Sequence, residues 1–335
     1  MALAIGLLSG GLDSTLAVRL MVQMGFDVHA LNFVTMFCRC TKGNSCQLAG
    51  VKAAKEAGVS VEVFNVTREM LEIVKRPKHG YGSQMNPCLD CRIHMFRQAG
   101  ELMQKMGAAF IFTGEVLGQR PMSQRRDAMR LIDAEAGVAG YVLRPLSAKL
   151  LEPTEAEKSG IVDREKLLSI AGRSRKPQMA MAEEFDLKDY PCPAGGCLLT
   201  DPGFAHRLRE LLDHDADAPL RDVQLLTIGR HLRLGSKTKL IIGRNEEENE
   251  KVKALASAGD LLIEPQDIPG PTALLHGPTN DADTHRACSL VLRYTKAESD
   301  RQHGCVVKCV PDGPELLVAA APAEAEDAAV IGIQA

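Results

Sequence analysis

Two kinds of residue in this 335-residue chain have the types and spacing to do chemistry. The first is the run Ser9-Gly10-Gly11-Leu12-Asp13-Ser14-Thr15. It follows the apolar residues 2–8, which read as a buried strand, and precedes residues 16–21, whose apolar positions have helical spacing. A glycine-rich turn between a strand and a helix is an anion site. Its backbone N–H groups can approach a phosphate, and the helix N-terminus adds partial positive charge. An ordinary capped turn would also carry this pattern, with Asp13 or Ser14 accepting an N–H bond at the helix start.

The second kind is cysteine, ten in all. In a reducing compartment so many thiols are more naturally ligands or nucleophiles than disulfides. Cys88 and Cys91 stand three apart at the start of a helix that runs to about residue 106. They could share one metal or cluster, and the helix dipole there favours thiolate. A zinc knuckle and a redox pair compete for the same spacing. Cys192 and Cys197 lie far along the chain in a loop rich in Pro and Gly. Cys38, Cys40 and Cys46 crowd one short loop; a zinc site there needs a fourth ligand, and three reduced thiols explain the loop equally well. Cys288, Cys305 and Cys309 read as packing residues, and His276 and His285 as isolated loop histidines rather than ligands.

These groups need elements to position them. Residues 2–8, 27–34, 59–66, 108–113 and 140–147 read as strands, with helices at 47–57 and from 88 to about 106. That alternation predicts an α/β fold, a parallel sheet with helices on both faces. Ligands in such sheets sit at the carboxyl ends of the strands, near a reversal of strand order. Helical stretches are expected at 155–159, 164–171 and 176–184, with a compact basic run, Gly172-Arg173-Ser174-Arg175-Lys176-Pro177, that suits either RNA phosphates or a solvated junction. A helix at 204–213 leads to the linker 213–219, after which short strands (223–230, 231–234, 238–242, 261–264, 272–276, 306–310) and helices from 245 and over 286–296 make a smaller α+β unit. Residues 314–335 form an Ala-rich tail with room for one strand.

Longer strings add family resemblances. Ser9-Gly10-Gly11-Leu12-Asp13-Ser14, at the end of the first strand, resembles the PP-loop of the ATP pyrophosphatase superfamily; no Gly-Lys-Ser/Thr follows at the spacing of the other phosphate loop. Asn86-Pro87-Cys88-x-x-Cys91-x-x-x-x-Phe96 and Gly196-Cys197-Leu198-Leu199 resemble the two cysteine segments of tRNA 2-thiouridylases. Gly114-Glu115-Val116-Leu117-Gly118-Gln119, with Ser123-Gln124, and Leu143-Arg144-Pro145-Leu146 resemble segments of 4-thiouridine synthetases. Ile241-Ile242-Gly243-Arg244-Asn245-x-x-x-Asn249 is similar to the signature of an NFACT-R-type (DUF814-like) RNA-binding domain.

The resemblance implies an ATP-dependent tRNA sulfurtransferase with a thiolation domain over 1–212 and an RNA-binding domain over 220–313. Ser9, Gly10, Gly11, Asp13, Ser14 and Thr15 would hold the pyrophosphate of ATP, with Mg²⁺ offsetting its charge. Gly114 and Gln119, or Ser123, would meet the nucleotide; a helix cap explains Ser123 equally well. Cys88, Cys91 and Cys197, with Cys192 in reserve, would bind a 4Fe–4S cluster; zinc, or a persulfide on one thiol with a second closing a disulfide, are the alternatives. The partners implied are tRNA and a sulfur donor or carrier, with a homodimer left open. The alternative functions are another PP-loop adenylating reaction, such as amidation or thiolation of a small molecule, and a non-catalytic ATP- and RNA-binding adaptor.

Composition excludes little. Net charge is −3, neutral evidence on nucleic acid, and aromatics make up 4% of residues with no Trp, so no large stacking platform is advertised. No apolar run reaches transmembrane length and no basic segment precedes a cleavable apolar stretch, so a cytoplasmic chain without a membrane partner is expected.

Overall fold

The computed structural model describes residues 1–39, 46–187 and 196–325, and side chains from residue 49 onward in the second of these segments. Cys40, Cys192 and the Cys46 side chain fall outside the described residues. The chain divides into two compact units, Met1–Thr200 and Asp201–Ala335. The sequence placed this boundary after residue 212. The helix before that point instead groups with the second unit, because its Glu210 forms ion pairs with Arg233 and Lys239.

In chain order the first unit contains β1 (Leu3–Leu7), α1 (Leu12–Gln23), β2 (Asp27–Val34), α2 (Cys46–Ala57), β3 (Ser60–Asn65), α3 (Thr67–Lys75), α4 (Cys88–Met106), β4 (Phe110–Thr113), α5 (Arg126–Glu135), β5 (Val142–Leu143), α6 (Glu155–Lys158) and α7 (Lys176–Glu184). The strands form one parallel sheet in the order β3-β2-β1-β4-β5. β1 and β4 are apolar without alternation because both faces are covered. Ala4, Phe110, Phe112 and Leu143 pack with Ala17 and Met21 of α1; Ile5, Leu7, Ile111 and Val142 pack with Ile93 and Phe96 of α4. The order reverses between β1 and β4, which opens a crevice at their carboxyl ends. A crossover helix runs against its strands, so α1 and α4 both start at that same edge. Topology alone thus brings residue 12 and residue 88 to one end of the sheet.

Local readings changed in places. Residues 164–171 form only a 3₁₀ turn, Arg164–Lys166; the chain then extends so that Leu167 is buried and Ala171 pairs with Leu117. α3 was not foreseen, and α5 was implied only by the reading of Ser123 as a helix cap.

The second unit contains α8 (Pro202–His214), α9 (Leu220–Leu225), β6 (Arg230–Arg233), β7 (Lys239–Ile242), α10 (Glu246–Leu255), β8 (Leu261–Pro265), β9 (Ala273–His276), α11 (Asp281–Leu292), β10 (His303–Cys309) and β11 (Glu315–Ala320). Its sheet, in the order β11-β10-β8-β9-β7-β6, is antiparallel throughout. Of the stretch expected as a strand over 223–230, residues 223–225 end the helix α9, which starts directly after Pro219, residues 226–229 turn, and only Arg230 is in a strand. The helix expected over 286–296 begins earlier, where the Asn280 side chain accepts the Asp283 N–H at 2.8 Å. Cys288 and Cys305 are buried in the core, and Cys309 is half-buried. In the stretch from Gly243 to Asn249, Asn245 caps α10 through the Glu248 N–H (3.0 Å), and Asn249 accepts the Thr272 N–H (3.1 Å). Those signature residues hold the fold together. Among the described residues no helix is long and apolar enough to cross a membrane.

His276 is not an isolated loop residue. It ends β9 between Asp260 (Nδ1 at 2.8 Å) and Asp222 (Nε2 at 3.2 Å), whose carboxylates raise its pKa to about 9. An unfolded histidine titrates near 6.5. The ion pairs therefore contribute fully below about pH 6.5 and are lost as pH rises through about 9. The stability difference between the native chain and His276→Gln, measured by urea unfolding, should accordingly shrink across that window. A difference that stays constant or widens would contradict this reading.

Candidate functional site

At the carboxyl end of β1 the chain turns through Ser9, Gly10 and Gly11. Gly10 has φ +77°, and a Cβ there would lie 2.5 Å from the Ala49 carbonyl carbon of α2. Only glycine meets both demands. α1 begins with Gly11 at the cap position and no side-chain cap, so neither Asp13 nor Ser14 plays that role. Instead Ser14 Oγ and Thr15 Oγ1 donate to the Gly11 carbonyl at 2.9 and 3.1 Å, and Ser9 Oγ lies 3.1 Å from Ser14 Oγ. Leaving the first-turn N–H groups uncapped suits them to an anion.

Asp13 is thereby turned toward other loops. Its Oδ2 accepts from Gln119 Nε2 at 2.8 Å, and Gln119 Oε1 accepts from Gln178 Nε2 of α7 at 3.1 Å. Arg175, in the basic run ahead of α7, places Nη2 3.8 Å from Asp13 Oδ2. Among the described residues, Asp13 Oδ1, Arg175 Nε and Gln178 Oε1 are buried here without a hydrogen-bond partner. Unpaired buried groups are costly and rare. Their convergence fits a charged ligand, with a carboxylate oxygen for a cation and a guanidinium for a phosphate. Gly114, at the exit of β4, packs so closely on α1 that a Cβ would stand 2.4 Å from Ser14 N. Its close approach is to the polypeptide. Ser123 is buried and does not cap α5, whose cap position is Arg125.

The thiols gather beside this loop. Cys88 is the first residue of α4 and Cys91 follows one turn later. The segment before them is pinned by His79, whose Nδ1 lies 2.9 Å from Asp90 Oδ1 and whose Nε2 lies 3.1 Å from Glu135 Oε1. Met85 N–H donates to Leu199 O at 3.1 Å, which ties that segment to the Cys197 turn. Cys197 in turn pairs across an isolated β-bridge with Cys38, just beyond β2. Cys88, Cys91, Cys197 and Cys38 are near enough that the charge of each of the others acts on Cys197. Arg120 links the two halves of the site, because both Cys88 and Asp13 act on its guanidinium.

Burial decides the protonation of these thiols. It pushes Cys197 up to about 12 and Cys91 up to about 11, and raises Cys88 despite Arg92 and Arg120. The sequence pointed the other way, to a helix N-terminus favouring thiolate; desolvation outweighs that field. Among the described residues, no group of three or more His, Cys, Asp or Glu side chains is gathered closely enough to hold a metal ion. A cavity of about 460 Å³ lies elsewhere, and its Arg130 and Lys158 are already paired with Glu152 and Glu155.

A buried ion network holds the loop and the thiols in place. Glu115 follows Gly114 and is 2% exposed; its Oε2 accepts from Arg144 Nε at 3.1 Å, and Arg92 Nε lies 3.5 Å from Oε1. Arg144 forks onto both oxygens of Asp133 at 2.8 Å. Burial opposes the Arg144 charge, but the bonds to Asp133 and the charge of Glu115 more than offset it and raise its pKa. Sequence reasoning quoted Glu115 and Arg144 within longer strings without assigning them partners. Arg175 was read only as part of a basic run, and Gln178 was missed.

Residues 2–161 match the family model described as thiamine biosynthesis protein (ThiI), and residues 229–329 match that of the NFACT protein RNA binding domain. The tRNA-specific 2-thiouridylase MnmA of Rippkaea orientalis is 24% identical over 237 residues, covering 67% of this chain and 63% of that protein. The tRNA sulfurtransferase of Actinobacillus succinogenes is 32% identical over 151 residues, 42% of this chain and 28% of that one. A crystal structure of a 4-thiouridine synthetase–RNA complex with bound ATP is 21% identical, with a TM-score of 0.37, over 67% of this chain and 52% of the other. This chain spans less than two thirds of the length of each of these relatives.

Removing one partner from the buried network leaves an uncompensated charge. Arg144→Ala should lower stability by about 3–5 kcal/mol in urea unfolding; a loss below about 1 kcal/mol would show that Glu115 and Asp133 do not depend on it.

Proposed function

We propose that this chain, whose residues 2–161 match the ThiI family model and whose residues 229–329 match that of the NFACT RNA binding domain, thiolates a uridine of tRNA at the expense of ATP. The observation that carries this reading is the meeting of an orphan-lined phosphate loop with a set of buried thiols at one edge of the sheet. A carbonyl oxygen of uridine is a very poor leaving group. Its attack on the α-phosphorus of ATP would make it part of AMP, which sulfur can displace.

In this reading Ser9, Gly10, Gly11, Ser14 and Thr15 hold the pyrophosphate, and the unpaired Arg175 Nε reaches one of its oxygens. Asp13 would hold Mg²⁺, which offsets the phosphate charge when bound. Gln119, already bonded to Asp13, orients that carboxylate, while Gly114 keeps the β4 exit against α1. Arg120 sits in the field of both halves and would steady negative charge as it moves between them. Cys88, Cys91 and Cys197 carry the sulfur, taken from an external donor. These thiols, which lie within one another's electrostatic reach, would do so either as ligands of a 4Fe–4S cluster or through a persulfide on one of them. The second unit would hold tRNA by its backbone and shape.

Iron, sulfide and zinc analysis of anaerobically purified protein separates the two sulfur forms: stoichiometric iron and sulfide would establish the cluster, and their absence together with a detectable persulfide would establish the other. For the function itself, protein incubated with tRNA, ATP, Mg²⁺ and either sulfide, for the cluster form, or a persulfide donor with dithiothreitol, for the persulfide form, should produce thiouridine by nucleoside mass spectrometry. Asp13→Asn should cost about a hundredfold or more in that rate while the protein stays folded. An unmodified nucleoside profile with the native chain would overturn the reading.

A further inference from the structure

Cys38 lies outside the sulfur-carrying set proposed above, yet the backbone puts it directly opposite one member of that set. Arg39 N–H donates to Gly196 O at 3.1 Å, and Leu198 N–H donates to Phe37 O at 2.7 Å. The two bonds flank the Cys38–Cys197 pair instead of joining it, so this is the non-hydrogen-bonded kind of antiparallel pair. Residues paired in this way have Cα atoms about 4.5 Å apart and side chains on the same side of the ribbon. Disulfides span Cα separations of about 4.4 to 6.8 Å. Both residues are half-buried thiols in the structure.

The frame around the pair is fixed on both sides. Met36 N–H donates to Thr67 Oγ1 at 3.1 Å just before Cys38. After Cys197, Thr200 donates to the Cys197 carbonyl through both N–H (2.9 Å) and Oγ1 (2.7 Å), and Leu199 O holds the segment ahead of α4. Phe37 and Leu199, the neighbours of the pair, are fully buried. Two thiols held opposite each other by main-chain bonds need only side-chain rotation to meet.

We propose that Cys38 and Cys197 form a reversible dithiol–disulfide pair. With a small disulfide such as oxidised glutathione, one thiolate attacks a sulfur of the reagent and releases one glutathione thiol. The second cysteine then displaces the other glutathione. Two S–H bonds and the reagent's S–S bond are lost, one protein S–S bond forms, and the two electrons and two protons leave as two glutathione thiols.

The role of the pair rests on the thiolation reading. There, a persulfide on Cys197 bonds its terminal sulfur to the activated uridine carbon as AMP leaves. The Cys38 thiolate attacks Cys197 Sγ and the S–S bond to the transferred sulfur breaks. That sulfur departs with the electron pair as the thiocarbonyl sulfur of the base. The Cys38–Cys197 disulfide is left for an external thiol to reduce.

The pair itself is tested on the full chain without tRNA or ATP, so its failure is separable from failure of the thiolation reading. Protein treated with oxidised glutathione, alkylated and digested without reductant should yield a Cys38–Cys197 cross-linked peptide that disappears on reduction. Cys197 joined to Cys88, Cys91, Cys192 or any other cysteine, or Cys38 and Cys197 both recovered as alkylated thiols, would overturn the proposal. For the role, Cys38→Ser loaded with persulfide should release thiolated tRNA at least tenfold more slowly in a single turnover, and added dithiothreitol should restore release. An unchanged rate, or a slow rate that dithiothreitol leaves unchanged, would remove Cys38 from the reaction.

Discussion

Arg144, buried at the exit of β5, is held between Asp133 on α5 and Glu115 at the exit of β4, and Glu115 reaches on to Arg92 on α4. Both chemical groups of the first unit are positioned from this chain of charges. Glu115 is adjacent to Gly114, which packs against the first turn of α1 and so against Asp13. Arg92 is adjacent to Cys91. Charges so deeply buried persist only when they are paired and bonded, so the network specifies one arrangement of four elements. The network ties the Ser9–Thr15 loop and the thiols to one another.

The two halves of the site show opposite electrostatic preparation. On the loop side, Asp13, Arg175 and Gln178 keep buried polar atoms unpaired, which leaves capacity for a charged substrate to satisfy. On the thiol side, burial pushes the Cys91 and Cys197 thiols up, while Arg92 draws Cys91 down and Arg92 and Arg120 draw Cys88 down.

How much of this was legible beforehand depended on whether a feature is local in sequence. The loop from Ser9 to Thr15 could be read because its glycines and its flanking strand and helix are contiguous. The sheet followed from alternation, and Cys88, Cys91 and Cys197 from residue type and neighbouring residues. Ion pairs such as Arg144 with Asp133 and Glu115 obey no spacing rule, so their partners were hidden although both Glu115 and Arg144 stood in quoted strings. The facing of Cys38 and Cys197 depends on a bridge between segments far apart in the chain. Arg175 looked like surface charge because its target, Asp13, lies at the other end of the domain's sequence. Residues 223–230 do not form the expected strand because a short apolar run fits either period: its first three residues end α9 and the next four turn into β6.

The central claim is that ATP activates a uridine carbonyl oxygen in the loop formed around Asp13 before the cysteines replace it. tRNA transcribed with heavy oxygen at both uridine carbonyls, incubated with the protein, unlabelled ATP, Mg²⁺ and either sulfide or a persulfide donor with dithiothreitol, tests this most directly. The account predicts AMP carrying one heavy oxygen for each thiouridine formed. Unlabelled AMP alongside thiouridine, or release of ADP and phosphate in its place, would contradict it.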